Sequence, residues 1–203
     1  VTGNAVLAAA RDANGQLLKR AAKMLRVSAK ELESRDGRIY VKATPEKEIS
    51  VAEVAKDTIY NFDGECLQIS GISSFEPEKQ ASPYTAVFAE VEVDIETGEV
   101  EVSRIVVAHD IGRAINPATV EGQIEGAVIQ GLGYALTEDY VINKDNGIVE
   151  SDNFNSYKIP STLDLPDIEV ILVEQPVISG PFGAKSVGES GIVGIAPAIA
   201  NAI

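Results

Sequence analysis

Two groups of side chains in this sequence could do chemistry. The first is Glu189 in GPFGAKSVGES, residues 180–190, a single carboxylate among small residues just ahead of the apolar run IVGIAPAIANAI. A carboxylate with little bulk around it can take a proton from a ligand that approaches closely. The second is the amide pair Gln123 and Gln130 in EGQIEGAVIQGLGYAL. An amide both donates and accepts, which suits the edge of a heterocycle or a phosphate and equally suits a half-exposed protein contact. Glu189 also has two readings. Just before a helix it would meet free N–H groups and the positive end of the dipole, so it is either a helix-start acid or a base that Gly183, Gly188 and Gly191 leave open to a bulky ligand.

The elements that must position these groups follow from pattern. Asn116 at a cap position and Pro117 at the first helical position start a helix. Ile124, Val128, Leu132 and Ala135 form its core stripe, and Gln123, Ala127, Gln130 and Tyr134 form the stripe beside it. Gly122, Gly126, Gly131 and Gly133 each lower helix propensity by nearly ~1 kcal/mol relative to alanine, a cost that close packing or the close approach of another group would explain. GLGYAL lies deep inside this helix and not at a strand-to-helix turn, so it is no dinucleotide fingerprint. Upstream, FAEVEVDIETGEVEVSRIVVAHD alternates as two strands around Thr97-Gly98. Its acids Glu90, Glu92 and Asp94 fall on one wet face and receive no metal assignment. His109, beside Asp110 at the strand end, reads as structural. Downstream come a hairpin through Lys144–Gly147, an extended stretch held by Pro160 and Pro166, and a strand over Ile168–Val173.

The N-terminal part reads as a helix with Val6, Ala9, Ala10, Ala13, Leu17, Ala21 and Leu25 at helical spacing, Thr2 or Asn4 as its cap and Gly15 as its weak point. A hairpin around Asp36-Gly37 and a short helix after Ser50 complete a helix-hairpin-helix lobe over residues 1–60. Residues 61–203 carry the strand hairpin, the glycine-rich helix and the Glu189 segment, with an extended run from Gly64 and a loop from Glu78 to Pro83. Both ends sit inside apolar patterns, so the chain is expected to be a piece of a longer one.

The 203 residues, 45% hydrophobic and 24% charged, have a globular balance. The 31 acidic and 17 basic side chains give a net charge of −14, which would repel nucleic acid and anionic lipid. The single cysteine, Cys66, reads as a buried reduced thiol, which places the chain in the cytoplasm. Neither a signal peptide nor a membrane span is visible.

The segments FAEVEVDIETGEVEV, HDIGRAINP, EGQIEGAVIQGLGYAL, NSYKIPSTLDLP and GAKSVGES occur in one order and spacing that resembles the molybdopterin-binding subunit of the xanthine dehydrogenase and aldehyde oxidase family. The resemblance is strong over about residues 85–203, and the first helix and hairpin also look like the family's. It implies an α+β fold with helices packed on mixed sheets. It implies that Glu189 sits beside the molybdenum as a base during attack of a water-derived oxygen on an electron-poor carbon. It places Gln123, with Gln130 beside it, at the pterin cofactor, and the backbone of Val187 and Gly188 next to the metal.

The implied cofactor is molybdopterin, as such or in a dinucleotide form, with iron–sulfur clusters and FAD on partner domains or subunits. No cysteine cluster here could hold such clusters. The implied partners are the rest of the subunit, those redox partners in an oligomeric enzyme, and a small-molecule substrate, an N-heteroaromatic or an aldehyde. Other cofactor-contacting loops of the family precede the region matching Val1, so the isolated chain is expected to hold no cofactor stably and to be inactive. The alternative is a non-catalytic assembly or scaffold module of the same fold.

Overall fold

Helices form where the apolar spacing is helical and strands where it alternates. The computed structural model describes residues 1–61, 68–77, 79 and 81–203. The readings placed on Gly64, Cys66 and Glu78 lie outside these residues. The chain divides into two units, Val1–Pro77 and Glu78–Ile203.

In the first unit, helix α1 (Thr2–Leu25) runs unbroken through Gly15 and ends on Arg26 in the left-handed region. No side chain caps its start, so neither Thr2 nor Asn4 does the work expected of it. Three antiparallel strands follow, β1 (Leu32–Arg35), β2 (Arg38–Val41) and β3 (Thr44–Ser50). Asp36 and Gly37, at φ 49° and 76°, make the tight turn between β1 and β2, as the Asp-Gly pair predicts. β3 was not legible, because its sequence TPEKEIS is mostly polar and mostly exposed. Helix α2 (Val51–Tyr60) opens with a capping box, in which Ser50 accepts from the Glu53 amide and Glu53 accepts from the Ser50 amide. Ala21, Leu32, Ile39, Val41 and Val54 close the core of this unit. Val6 is exposed, so the apolar stripe of α1 is buried only toward its C-terminal end. Ser70 lies beside α1, where Gln16 donates to its carbonyl at 2.8 Å.

The second unit is a mixed sheet in the order β4-β5-β6, with β4 at Thr85–Val93, β5 at Val100–Asp110 and β6 at Asp167–Val173. β4 and β5 are an antiparallel hairpin, and β6 lies parallel to β5 after a crossover through helix α3 (Pro117–Leu136). Asn116 caps α3 by accepting from the Thr119 amide. Helix α4 (Ile195–Ala202) completes the unit. Val102, Ile105 and Val107 of the central strand pack with Ile124, Val128 and Leu132 of α3 and with Ile195 and Ile199 of α4. The expected core stripe of α3 is therefore the observed one.

A bulge fixes which side of β5 is buried. The register slips between Glu90 and Val91, so that Arg104 pairs with Glu90 and Val102 with Val91, leaving Ser103 as the extra residue. An extra residue flips every later side chain to the opposite face. Val102 is buried, and beyond the bulge the buried set becomes Ile105, Val107 and His109.

The acids of β4 are exposed as expected, and Asp94 has a specific structural task. Its carboxylate accepts from the amides of Glu96 and Thr97 in the loop whose last bend is Gly98 at φ 78°. Those backbone donors hold its pKa below the usual carboxylate value. Lys144–Gly147 does form a turn, and it closes on one isolated bridge between Ile142 and Val149.

The glycines of α3 separate by environment. A Cβ on Gly131 would stand 2.5 Å from Cβ of Ile195, whereas one on Gly122 or Gly126 would meet nothing within 4 Å. Gly131→Ala is expected to destabilise the chain by about 1–3 kcal/mol through overpacking. Gly126→Ala should stabilise it by up to ~1 kcal/mol, because it removes a helix breaker without creating a contact. Urea unfolding followed by circular dichroism measures both.

Candidate functional site

The Glu189 segment is held by the tail of β5. Beyond β6 the chain turns back through Phe182 and Gly183, both left-handed at φ 55° and 90°. It then meets Ile111, whose carbonyl accepts from the Lys185 amide at 2.8 Å. The fit is close, because a Cβ on Gly112 would stand 2.3 Å from the Gly183 carbonyl oxygen. Gly112 has φ 68° and so serves both the turn and the contact.

Two polar residues of β5 then fix the segment at two points. Lys185 donates to Asp110 at 2.5 Å and to the Ser82 carbonyl at 3.3 Å, and its ammonium lies 5.7 Å from the centroid of the Tyr84 ring. Both side chains of this ion pair are nearly inaccessible, at 7% and 12% exposure. Burial alone would raise the Asp110 pKa, but the bonds from Lys185 and from the Gly112 amide outweigh it and hold the value below the usual carboxylate range. Five residues on, Ser190 is held by His109. The imidazole is completely buried, with Nδ1 2.6 Å from the Thr85 hydroxyl and Nε2 3.3 Å from the Ser190 hydroxyl. The Thr85 hydroxyl also donates to the Ser190 carbonyl at 3.3 Å. Burial lowers the His109 pKa, more than the Ser186 carbonyl and Asp110 raise it, which disfavours the charged ring.

Glu189 itself is exposed, as is Gly188, and Val187 is half-buried against the core of the unit. The expectation that Glu189 begins the last helix does not hold. It opens a separate three-residue 3₁₀ turn, Glu189–Gly191, whereas α4 starts at Ile195 behind Gly194. The helix dipole of α4 is therefore not what supports this carboxylate, because the dipole acts only within the terminal turn. Its support comes from the anchors at Lys185 and Ser190 on either side.

The 3₁₀ turn lies against α3. A Cβ on Gly191 would stand 3.0 Å from Cβ of Ala127. Ala127 is four residues after Gln123 and three before Gln130, so the three share one side of the helix. Gln123 and Gln130 are exposed there, and the Gln130 amide donates to the Tyr134 hydroxyl at 3.4 Å. Gly191, two residues after Glu189, thus lies against the same side of α3 that carries the two amides, some 60 residues earlier in the sequence. Gly122 and Gly126, with open space where a side chain would stand, continue that surface. NSYKIP is fixed to the end of the same helix, where the Tyr157 hydroxyl donates to Glu138 at 2.5 Å. Among the described residues no group of His, Cys, Asp and Glu could hold a metal ion by itself.

The positioning groups Thr85, His109, Asp110, Lys185 and Ser190 were not found as a set from sequence. His109 and Asp110 drew notice as neighbours at a strand end, but their partners lie 24 and 75 residues away. The one available signal was a histidine and an acid closing the apolar run Ile105–Ala108.

Known proteins resemble this chain. Residues 1–166 match the molybdopterin cofactor-binding domain family. The chain is 34% identical over 189 residues to a xanthine dehydrogenase molybdenum-binding subunit of Escherichia coli O157:H7, covering 93% of this chain and 25% of that protein. It is 30% identical over 203 residues to the carbon monoxide dehydrogenase large chain of Afipia carboxidovorans, covering 99% of this chain and 25% of that one. The structure of quinoline 2-oxidoreductase from Pseudomonas putida 86 is similar with a TM-score of 0.74 at 28% identity, over 92% of this chain and 24% of that one. The chain therefore spans about a quarter of the length of these relatives.

The buried histidine has a measurable consequence. Its folded pKa lies below the ordinary 6.5, so on acidification the unfolded chain binds the extra proton first. The stability that a neutral buried ring confers is present above about pH 6.5 and is lost as pH falls from there through the lowered folded value. The thermal midpoint should fall over that interval, and His109→Gln should flatten the dependence there while leaving the carboxylate-driven loss at lower pH. Differential scanning fluorimetry across pH checks this.

Proposed function

The chain belongs to the molybdopterin cofactor-binding domain family, and from that premise we propose that it is the cofactor-facing part of a molybdenum hydroxylase with Glu189 as its base. The observation that carries this reading is that the turn opened by the exposed Glu189 packs, through Gly191 against Ala127, on the side of α3 that carries two exposed amides and two uncrowded glycines. The fold alone would not single out that surface.

The residues present suit the group. Gln123 and Gln130 offer donors and acceptors for the polar edge of a pterin or its phosphate. Gly122 and Gly126 let a flat ligand lie close to the helix backbone, which explains two helix-weakening residues that no internal contact requires. Val187 and Gly188 present main chain beside Glu189, and Gly188 adds no side chain to obstruct it. When bound, the molybdenum cofactor supplies the acceptor for the two electrons that leave the substrate.

The net change replaces a substrate C–H by C–OH with water as the oxygen source, releasing two electrons and two protons. A group must take a proton as the oxygen nucleophile forms its bond to carbon, and the Glu189 carboxylate is placed to do that. It reaches the site on a short, doubly anchored turn, so little conformational freedom is lost when it acts. The substrate class we assign is an N-heteroaromatic, purine-like molecule or an aldehyde. The electrons pass onward to iron–sulfur and FAD centres on partner domains or subunits of an oligomeric enzyme. The remainder of the molybdenum-binding subunit completes the cofactor site, so the isolated chain is inactive. Among the described residues no helix is long and apolar enough to cross a membrane.

Substitution in the assembled enzyme tests the reading. Glu189→Gln should lower turnover by at least about 10²-fold, the contribution typical of a positioned general base, while molybdenum content stays near that of the parent. Unchanged turnover would favour the scaffold alternative, in which the fold is kept and the chemistry is absent.

A further inference from the structure

We propose that His109 is a positioning residue for Glu189, acting through a closed ring of hydrogen bonds with Thr85 and Ser190. The proposal rests on the reading of Glu189 as the base, but its geometry stands on other atoms. Ser190 follows Glu189 directly, and it is the only one of the two that is tied to the protein by its side chain in the described contacts. Two bonds join it to the strands, and a third between Thr85 and His109 closes the ring. The Thr85 hydroxyl donates to the Ser190 carbonyl at 3.3 Å, the Thr85 oxygen lies 2.6 Å from His109 Nδ1, and the Ser190 hydroxyl lies 3.3 Å from Nε2.

Few protons serve this ring. Thr85 has one hydroxyl proton to donate, toward the Ser190 carbonyl or toward Nδ1, and a neutral imidazole has one N–H, with the Ser186 carbonyl as a further acceptor beside it. Both ring nitrogens and the Thr85 hydroxyl have partners, and both the carbonyl and the hydroxyl of Ser190 are engaged. This fixes the peptide plane after Ser190 and the Ser190 side chain, one residue beyond Glu189. The carboxylate can still rotate, but its Cα cannot drift.

A histidine kept only to fill space would not need this arrangement, because an apolar side chain fills a core without polar atoms to satisfy. The strand bulge at Ser103 puts His109 on the inner face, and Thr85 pairs with it directly across β4 and β5. Lys185 and Asp110 hold the other end of the same segment. The loop therefore has two anchors on consecutive residues of one strand, and Glu189 lies next to the second of them.

Thr85→Val keeps the shape of the side chain and removes the hydroxyl, Thr85→Ser restores the hydroxyl, and Ser190→Ala removes the other arm. In the assembled, cofactor-loaded enzyme, hydrogen exchange of the peptide covering 186–192 should quicken about tenfold or more in Thr85→Val and Ser190→Ala, with the α3 amides unaffected and Thr85→Ser near the parent. Turnover, assayed with xanthine, benzaldehyde and quinoline, should fall about 10- to 100-fold in kcat for the first two variants, with KM and molybdenum content unchanged and with rescue by Thr85→Ser. The exchange result decides the positioning claim without a substrate. Parent-like exchange at 186–192 in both disruptive variants overturns it, as does a lowered melting temperature with kcat intact. If Glu189→Gln retains turnover, the reading of Glu189 as base fails, and this outcome is distinct because the exchange data are independent of it.

Discussion

The Glu189 segment depends on the polar end of β5, beyond its apolar run Ile105–Ala108. β5 is the central strand of its sheet and contributes Val102, Ile105 and Val107 to the core, yet it ends on His109 and Asp110. Burying an imidazole and a charged pair there is costly unless each polar atom finds a partner. The partners are Thr85, Ser190 and Lys185, and two of these three lie in the segment that carries Glu189. The cost of burial thus becomes a constraint on position. If the segment moved away, a buried carboxylate and a buried ring would both lose their bonds, and a small displacement would be opposed by both at once.

The same logic explains the glycines. Gly112 and Gly183 are required by left-handed backbone and by the close passage of one chain against the other. Gly131 is required by Ile195, and Gly191 by Ala127. Among the described residues nothing meets a side chain added at Gly122 or Gly126. In the proposed function these two positions are where the cofactor lies close to the helix. Glycine count alone could not make this distinction, because the environment of each one decides its meaning.

Much of the architecture was legible because local signals were strong. The Asn-Pro start of α3, its Ile124, Val128 and Leu132 stripe, the Asp36-Gly37 turn and the Thr97-Gly98 bend each combine a turn or cap residue with periodic apolar neighbours. β3 was invisible, since a polar, exposed strand has no hydrophobic period to read. The burial of His109 was obscured by the bulge. Extending the alternation from Val102 would place Arg104, Val106 and Ala108 inward, and only the extra residue at Ser103 reverses this. The family resemblance drew attention to Glu189 and Gln123, but the sequence suggested the wrong support for Glu189. The apolar run after it looked like an immediate helix, whereas the chain makes a 3₁₀ turn before α4 begins. The true support is long-range and polar, and neither property leaves a local pattern.

The central claim is that the surface joining Glu189 to Gln123 and Gln130 faces the molybdenum cofactor. Its most direct test is an anomalous-difference map, collected at the molybdenum absorption edge, from crystals of the complete subunit. The account predicts one peak opposite the Glu189 carboxylate, with the pterin lying along the Gln123 and Gln130 side of α3. A molybdenum peak elsewhere in the subunit, with Glu189 facing solvent or another polypeptide segment, would contradict it.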